Sequence, residues 1–293
     1  MLLNGSGCLD ALTAPAVARS LDAFVTKTVT PLPREGNAPV RIAETEVGML
    51  NSIGLANSGI DRFLTRNLPQ LEKLEIPLWI SVGGFDADDY ADICSRLDDE
   101  AAVSAIEVNV SCPNVEAPAE SAAQIVASAR LATRKPLWAK LSPAVPEIGE
   151  VARAAQTAGA DGLSLVNTIR ALKLDATTLR PALGPGQGGL SGPALKPIAL
   201  AAVATCYCVT GMPIVGMGGI QTGLDALEFI AAGARHVALG TVLFADPDAP
   251  ARIRAELHAA AAKRGWNSYD DAYAVAHEEQ LSIGTTLSER SSV

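Results

Sequence analysis

Eight short apolar or β-branched runs recur along the chain with helical stretches between them, and this alternation constrains the fold more than any other feature. The runs cover residues 1–3, 23–26, 77–82, 105–110, 136–141, 162–166, 213–216 and 236–239. Between them, residues 59–75, 88–97, 120–133, 146–158, 195–210, 222–232 and 250–264 carry Ala, Leu and Ile at helical spacing. Gly159, Gly211 and Gly233 stand where a left-handed cap closes a helix. Eight strands alternating with helices predict an α/β fold, a (β/α)8 TIM barrel forming a single domain over residues 1–293. A doubly wound open sheet usually has fewer strands and a glycine-rich first turn. With 48% hydrophobic residues, a chain of 293 can bury such a core.

Twenty-three Lys and Arg against 32 Asp and Glu leave a formal net charge of −9, which disfavours nucleic acid and anionic membrane surfaces as partners. Any anionic ligand must then be held by local groups. No apolar run approaches the roughly 20 residues of a membrane-spanning helix, and the first seven residues lack a charged region followed by an apolar stretch, so a cytoplasmic protein is expected. The five cysteines, Cys8, Cys94, Cys112, Cys206 and Cys208, are an odd, sparse set without metal-type spacing. They suit a reducing compartment and predict no metal site. Cys206 and Cys208, inside an apolar helical stretch, read as ordinary packing.

Barrel enzymes gather their chemistry at the carboxyl ends of the strands. There the sequence places Asn4-Gly5-Ser6-Gly7, Lys27, Gly83-Gly84, Asn109 with Ser111-Cys112-Pro113-Asn114, Lys140, Asn167-Thr168, Gly218-Gly219 and Gly240-Thr241. The opposite ends are mostly Pro, Ala and Gly. Glycines after the last two strands let backbone N–H groups approach an oxyanion, and each loop opens toward a helix whose positive end favours a phosphate. The competing reading is a pair of tight turns. A third glycine-rich stretch, residues 184–192, could wrap the same ligand or be a flexible loop.

Lys27 and Lys140 at strand ends need an anionic or polar partner, which a rim salt bridge would satisfy. Beside the phosphate glycines they also suit a cofactor that becomes anionic during turnover, such as a reduced flavin. Asn51, Asn109, Asn114 and Asn167 offer donors and acceptors to a planar ring with alternating N–H and C=O groups, although asparagine is also a common turn residue. Cys112, on a loop rather than in an apolar run, can accept a proton as a thiolate, or be a packed cysteine beside a turn. His236, His258 and His277 offer no competing base in the predicted loops.

These residues fall into an order that resembles the class 1 dihydroorotate dehydrogenases over nearly the whole chain. The resemblance is carried by Thr26-Lys27-Thr28-Val29-Thr30, Pro33-Arg34-Glu35-Gly36-Asn37, Asn51-Ser52-Ile53-Gly54-Leu55-Ala56-Asn57 and Glu107-Val108-Asn109-Val110-Ser111-Cys112-Pro113-Asn114. It continues through Lys140-Leu141-Ser142-Pro143, Asn167-Thr168, Gly188-Gly189-Leu190-Ser191-Gly192-Pro193 and Gly216-Met217-Gly218-Gly219-Ile220. It implies FMN as cofactor, with Ser6, Gly7, Lys27, Asn109, Lys140, Val166, Ser191, Gly192, Gly218, Gly219, Gly240 and Thr241 around it. It implies dihydroorotate as substrate, held by Lys27, Asn51, Asn109, Asn114, Asn167 and Thr168, with Cys112 as the base. A related flavin dehydrogenase or reductase acting on another dihydropyrimidine is the alternative.

After Asn114 comes Val115-Glu116-Ala117-Pro118 rather than the Pro-Gly-Lys-Pro of the fumarate-using branch, so the resemblance points to the NAD-linked branch. That implies a homodimer extended to a heterotetramer by a partner subunit bearing FAD and a 2Fe–2S cluster. Family members also carry an N-terminal hairpin that closes the barrel floor. This chain starts almost at the first cofactor loop, so that hairpin and most of the first strand are expected to be absent, and either the start is misassigned or the barrel floor is open.

Overall fold

The computed structural model describes residues 1–110 and 119–278. Twelve strands lie in the described residues: β1 (Leu2–Asn4), β2 (Phe24–Val25), β3 (Ile42–Thr45), β4 (Gly48–Asn51), β5 (Leu78–Val82), β6 (Val103–Asn109), β7 (Leu137–Leu141), β8 (Gly162–Leu165), β9 (Ile169–Ala171), β10 (Gly188–Ser191), β11 (Ile214–Met217) and β12 (His236–Leu239). All eight predicted runs are strands of one parallel sheet, in the order β1-β12-β11-β8-β7-β6-β5-β2. The sheet closes on itself. Leu3 bridges Ala23 in parallel, and the Asp22 N–H donates to the Leu2 carbonyl at 2.9 Å. The buried Asn4 side chain completes the seam: its amide donates to the Val25 carbonyl and its oxygen accepts from the Val25 N–H, both at 2.8 Å. Asn4 thereby supplies the donor and acceptor that a ladder residue offers from its backbone.

The expected loss of the first strand and the open floor are therefore corrected. β1 is only three residues long, but it pairs with β12 and is bridged to the stretch that leads into β2. Inside the barrel, Leu3, Ala23, Val25, Trp79, Ala105, Trp138, Val215, Met217 and Ala238 form one apolar cluster. Trp79 and Trp138 lie near the amino ends of β5 and β7 with ring centroids 4.8 Å apart, and fill the floor from within. Gly162 permits this, because a Cβ there would run into the Trp138 ring. Outside the sheet, a larger apolar cluster joins the strands to the helices.

The predicted helices are present as Ala87–Asp98, Ala119–Ala132, Ile148–Thr157, Lys196–Thr210, Gly223–Ala231 and Ala249–Ala262. Residues 59–75, expected as one helix, are a succession of short α, π and 3-10 turns. The stretch Pro193–Thr210 corrects the reading of apolar runs: over 18 residues it is apolar enough, by length and composition alone, to cross a membrane. Here it packs as a barrel helix, burying Ala199, Ala202, Val203 and Cys206.

A second sheet escaped the sequence reading. It is antiparallel, in the order β3-β4-β10-β9, and its strands come from the segments that follow β2 and β8. It therefore belongs to the carboxyl end of the barrel. Residues 184–192, expected as a loop or a cofactor wrap, supply β10.

Candidate active site

Along β6 and β7 the inward positions change from apolar to polar. Ala105 is followed by Glu107 and Asn109, and Trp138 by Lys140, as the period of two requires. All three polar side chains are enclosed, Glu107 at 1%, Lys140 at 5% and Asn109 at 7% exposure. Lys140 Nζ donates to Ser6 Oγ at 2.8 Å and lies 3.7 Å from Glu107 Oε1. The salt bridge expected at the rim is thus inside the barrel. Lys27 reaches the same end: its aliphatic stem lies so close to Gly7 that a Cβ there would be 2.8 Å from Lys27 Cδ. Gly7, at a φ of +76°, adopts a conformation glycine favours.

The amides converge in part. Asn167 Nδ2 donates to Asn109 Oδ1 at 3.4 Å, and Asn167 Oδ1 accepts from the Thr168 N–H at 2.9 Å. Tyr90 supports this end of β6 by donating its hydroxyl to the Asn109 carbonyl at 2.7 Å. Asn51 sits on β4, where its amide donates to the Gly189 carbonyl at 3.4 Å. Gly189 in turn backs onto Thr168, whose hydroxyl occupies the space a Cβ would need. One chain of contacts therefore links Asn51, Gly189 and Thr168, and Thr168 joins it to Asn167 and Asn109. Val166 is buried beside them, its N–H donating to the Met217 carbonyl at 3.0 Å. Cys112 and Asn114 lie outside the described residues.

For an oxyanion, the helix ends and the loop backbones after the last two strands differ. The helix Gly223–Ala231 after β11 begins with its first turn already occupied: Thr222 and Asp225 form a capping box, and the Gly223 N–H donates to Glu256 at 2.8 Å. That helix end is spent on protein groups, and Asp225 adds a negative charge beside it. The loop backbones are different. Among the described residues, the N–H groups of Gly192, Gly219, Gly240 and Thr241 donate to no protein acceptor. Gly192 and Gly219 approach so closely that a Cβ on Gly219 would lie 2.9 Å from the Gly192 carbonyl oxygen. Ser191 instead turns its hydroxyl to the Met49 carbonyl at 3.2 Å, and Gly218 has a φ of +127°. Four unclaimed donors on three neighbouring loops fit the phosphate of a mononucleotide, and the buried Lys140 fits the ring edge that becomes anionic.

Sequence reasoning missed three residues here. Glu107 was visible as a lone charge inside the apolar run Ala105-Ile106-Glu107-Val108. Cys8, two residues beyond Ser6, sits against Gly5 and Gly240. Burial pushes its thiol up, against the opposing pull of Lys140 and Lys27, so it stays protonated at neutral pH. Tyr90 gives no local signal, since its role depends on a helix packing beside β6. Two of the histidines pack away from the carboxyl end of the barrel. Burial lowers His236 to about 4 at the barrel floor, where its ring lies 5.9 Å from that of Trp138. His277 Nε2 lies 3.0 Å from the Ala232 carbonyl. Cys206 is buried with its thiol pushed up to about 12, whereas Cys208 is exposed beside His277, which corrects the reading of both as packed.

A closed parallel barrel with its polar side chains gathered at the carboxyl end defines the class, a (β/α)8-barrel enzyme. The sequence model of dihydroorotate dehydrogenase matches residues 2–260. The catalytic subunit of dihydroorotate dehydrogenase B (NAD(+)) of Desulforudis audaxviator is 45% identical over 265 residues, covering 88% of this chain and 86% of its own. The corresponding Listeria welshimeri subunit is 45% identical over 234 residues, covering 78% and 77%. The crystal structure of DHODH from Eimeria tenella in complex with ferulenol superposes with a TM-score of 0.80 at 23% identity, covering 94% of this chain and 85% of that one. The chain belongs to the dihydroorotate dehydrogenase family.

Proposed function

We propose that this chain is the FMN-carrying catalytic subunit of an NAD-linked dihydroorotate dehydrogenase, oxidising dihydroorotate to orotate in pyrimidine biosynthesis. The observation that carries the reading is the buried Lys140 at the carboxyl end of the barrel, together with loop N–H groups at Gly192, Gly219, Gly240 and Thr241 that donate to no protein acceptor among the described residues. Ser6, Gly7, Val166, Ser191 and Gly218 complete the cofactor's surroundings. When bound, the flavin supplies the acceptor for the hydride that leaves C6 of the substrate.

The chain's own residues do the rest. Cys112, three residues beyond Asn109 in sequence, takes the C5 proton as a thiolate. The amides of Asn51, Asn109, Asn114 and Asn167, with the Thr168 hydroxyl, orient the imide edge of the ring. Lys27 supplies positive charge for the substrate carboxylate, and Lys140 for the cofactor edge. Electrons then pass to NAD through a partner subunit bearing FAD and a 2Fe–2S cluster, docked on a homodimer in the cytoplasm. The partner is supported by the relatives' description as catalytic subunits.

The test is anaerobic. Dihydroorotate should bleach the yellow protein while dihydrouracil leaves it coloured, and NAD reduction should need the partner. Bleaching by dihydrouracil alone would assign the chain to another dihydropyrimidine, and a colourless purified protein would remove the FMN reading.

A further inference from the structure

Glu107 is an expensive residue for this barrel. Its side chain is 1% exposed, and among the described residues Oε1 accepts no hydrogen bond. The Lys140 ammonium lies 3.7 Å away and donates to Ser6 Oγ at 2.8 Å. A buried carboxylate with an unsatisfied oxygen costs stability, and an apolar side chain of similar volume would pack there at lower cost. Packing therefore does not account for it. The same carboxylate opposes the lysines at a neighbouring group: the Cys8 thiol feels Lys140 and Lys27 on one side of the balance and Glu107 on the other.

We propose that Glu107 is a positioning residue whose carboxylate offsets the Lys140 ammonium and so limits how strongly that lysine stabilises negative charge on the bound flavin. The inference rests on the FMN reading above. Ser6 holds the ammonium in place without altering its charge, whereas Glu107 subtracts from the positive potential that the lysine presents. Enclosure makes the subtraction effective, because water does not screen the pair. A site with both lysines and no carboxylate would hold the reduced, anionic cofactor too firmly to pass electrons on readily.

The test reads the flavin rather than turnover. Sulfite adds to a bound flavin and leaves negative charge on its N1–C2=O edge, so its dissociation constant reports the potential at that edge. Glu107→Gln, nearly isosteric and neutral, should bind sulfite about tenfold more tightly and shift the two-electron flavin potential upward by about 30 mV, the equivalent of that factor. Glu107→Asp, which keeps the charge but retracts it by one methylene, should shift both in the same direction by about threefold in affinity. A yellow Glu107→Gln protein within twofold of the native sulfite affinity overturns the proposal. Should that variant fail to fold, an unchanged sulfite affinity in Glu107→Asp overturns it equally. A native protein without flavin overturns the FMN reading itself, and the role of Glu107 with it.

Discussion

Asn4 holds two backbone groups of Val25 at the seam of the barrel, and among the described residues nothing else holds them. Replacing it by Ala leaves a buried donor and a buried acceptor unpaired, with an expected cost of about 2–4 kcal/mol in urea denaturation. Asp at the same position keeps the acceptor but not the donor, and should recover part of that loss. Under the proposed function, Cys112→Ser should keep FMN but turn over far more slowly at neutral pH, with recovery toward alkaline pH because a hydroxyl is the weaker acid. Turnover unchanged from the native enzyme in a pH profile would take Cys112 out of its role. Residues whose chemistry is local were legible in the sequence: Lys140, Asn109 and Asn167 stand at strand ends, and the strand register brings them together. Residues whose role depends on a distant neighbour were not. Asn4 reads as part of a glycine loop until Val25 is beside it, and Tyr90 reads as one more apolar position on a helix.

Elements met by close approach explain several small residues. Gly162 lets the Trp138 ring lie against β8, so Gly162→Ala should destabilise the fold by about 1–3 kcal/mol through overpacking. Combining it with Trp138→Leu should return part of that loss in a double-mutant cycle, and strict additivity would show that the ring is not what the methyl strikes. At the end of residues 59–75, Glu75 adopts a left-handed φ of +59°, which suits glycine better. Glu75→Gly should raise stability by about 0.5 kcal/mol, a shift of a degree or two in Tm. The eight barrel strands were legible because parallel strands are buried on both faces and read as near-continuous apolar runs. The antiparallel sheet was not, because Gly188-Gly189-Leu190-Ser191 and Ile42-Ala43-Glu44-Thr45 lack that signature. Their pairing depends on β4 and β10 meeting across 138 residues of sequence, as Asn51 and Gly189 show.

For the molecule as a whole, pH acts on the floor of the barrel. His236 has a folded-state pKa of about 4 against 6.5 in the ordinary range, so the unfolded chain binds its proton first. Its contribution is therefore fully present above pH 6.5 and is lost as pH falls toward 4. Because the ring is partly solvated, the expected loss is about 1–2 kcal/mol over that window. His236→Gln should flatten the slope of stability against pH there, as followed by urea midpoints. The eight-strand barrel followed from the alternation of runs, but its closure did not, since a three-residue β1 carries too little pattern to show that it pairs at both edges. The stacked Trp79 and Trp138 also give the enclosed barrel an optical signature. Two indoles with centroids 4.8 Å apart and tilted by 36° are close enough for their excited states to mix, so the far-ultraviolet dichroism of the native protein should carry a paired band from their strong transitions. That band should vanish when either ring is replaced by Phe, and its loss on heating or in denaturant gives a direct gauge of when the staves of the barrel part.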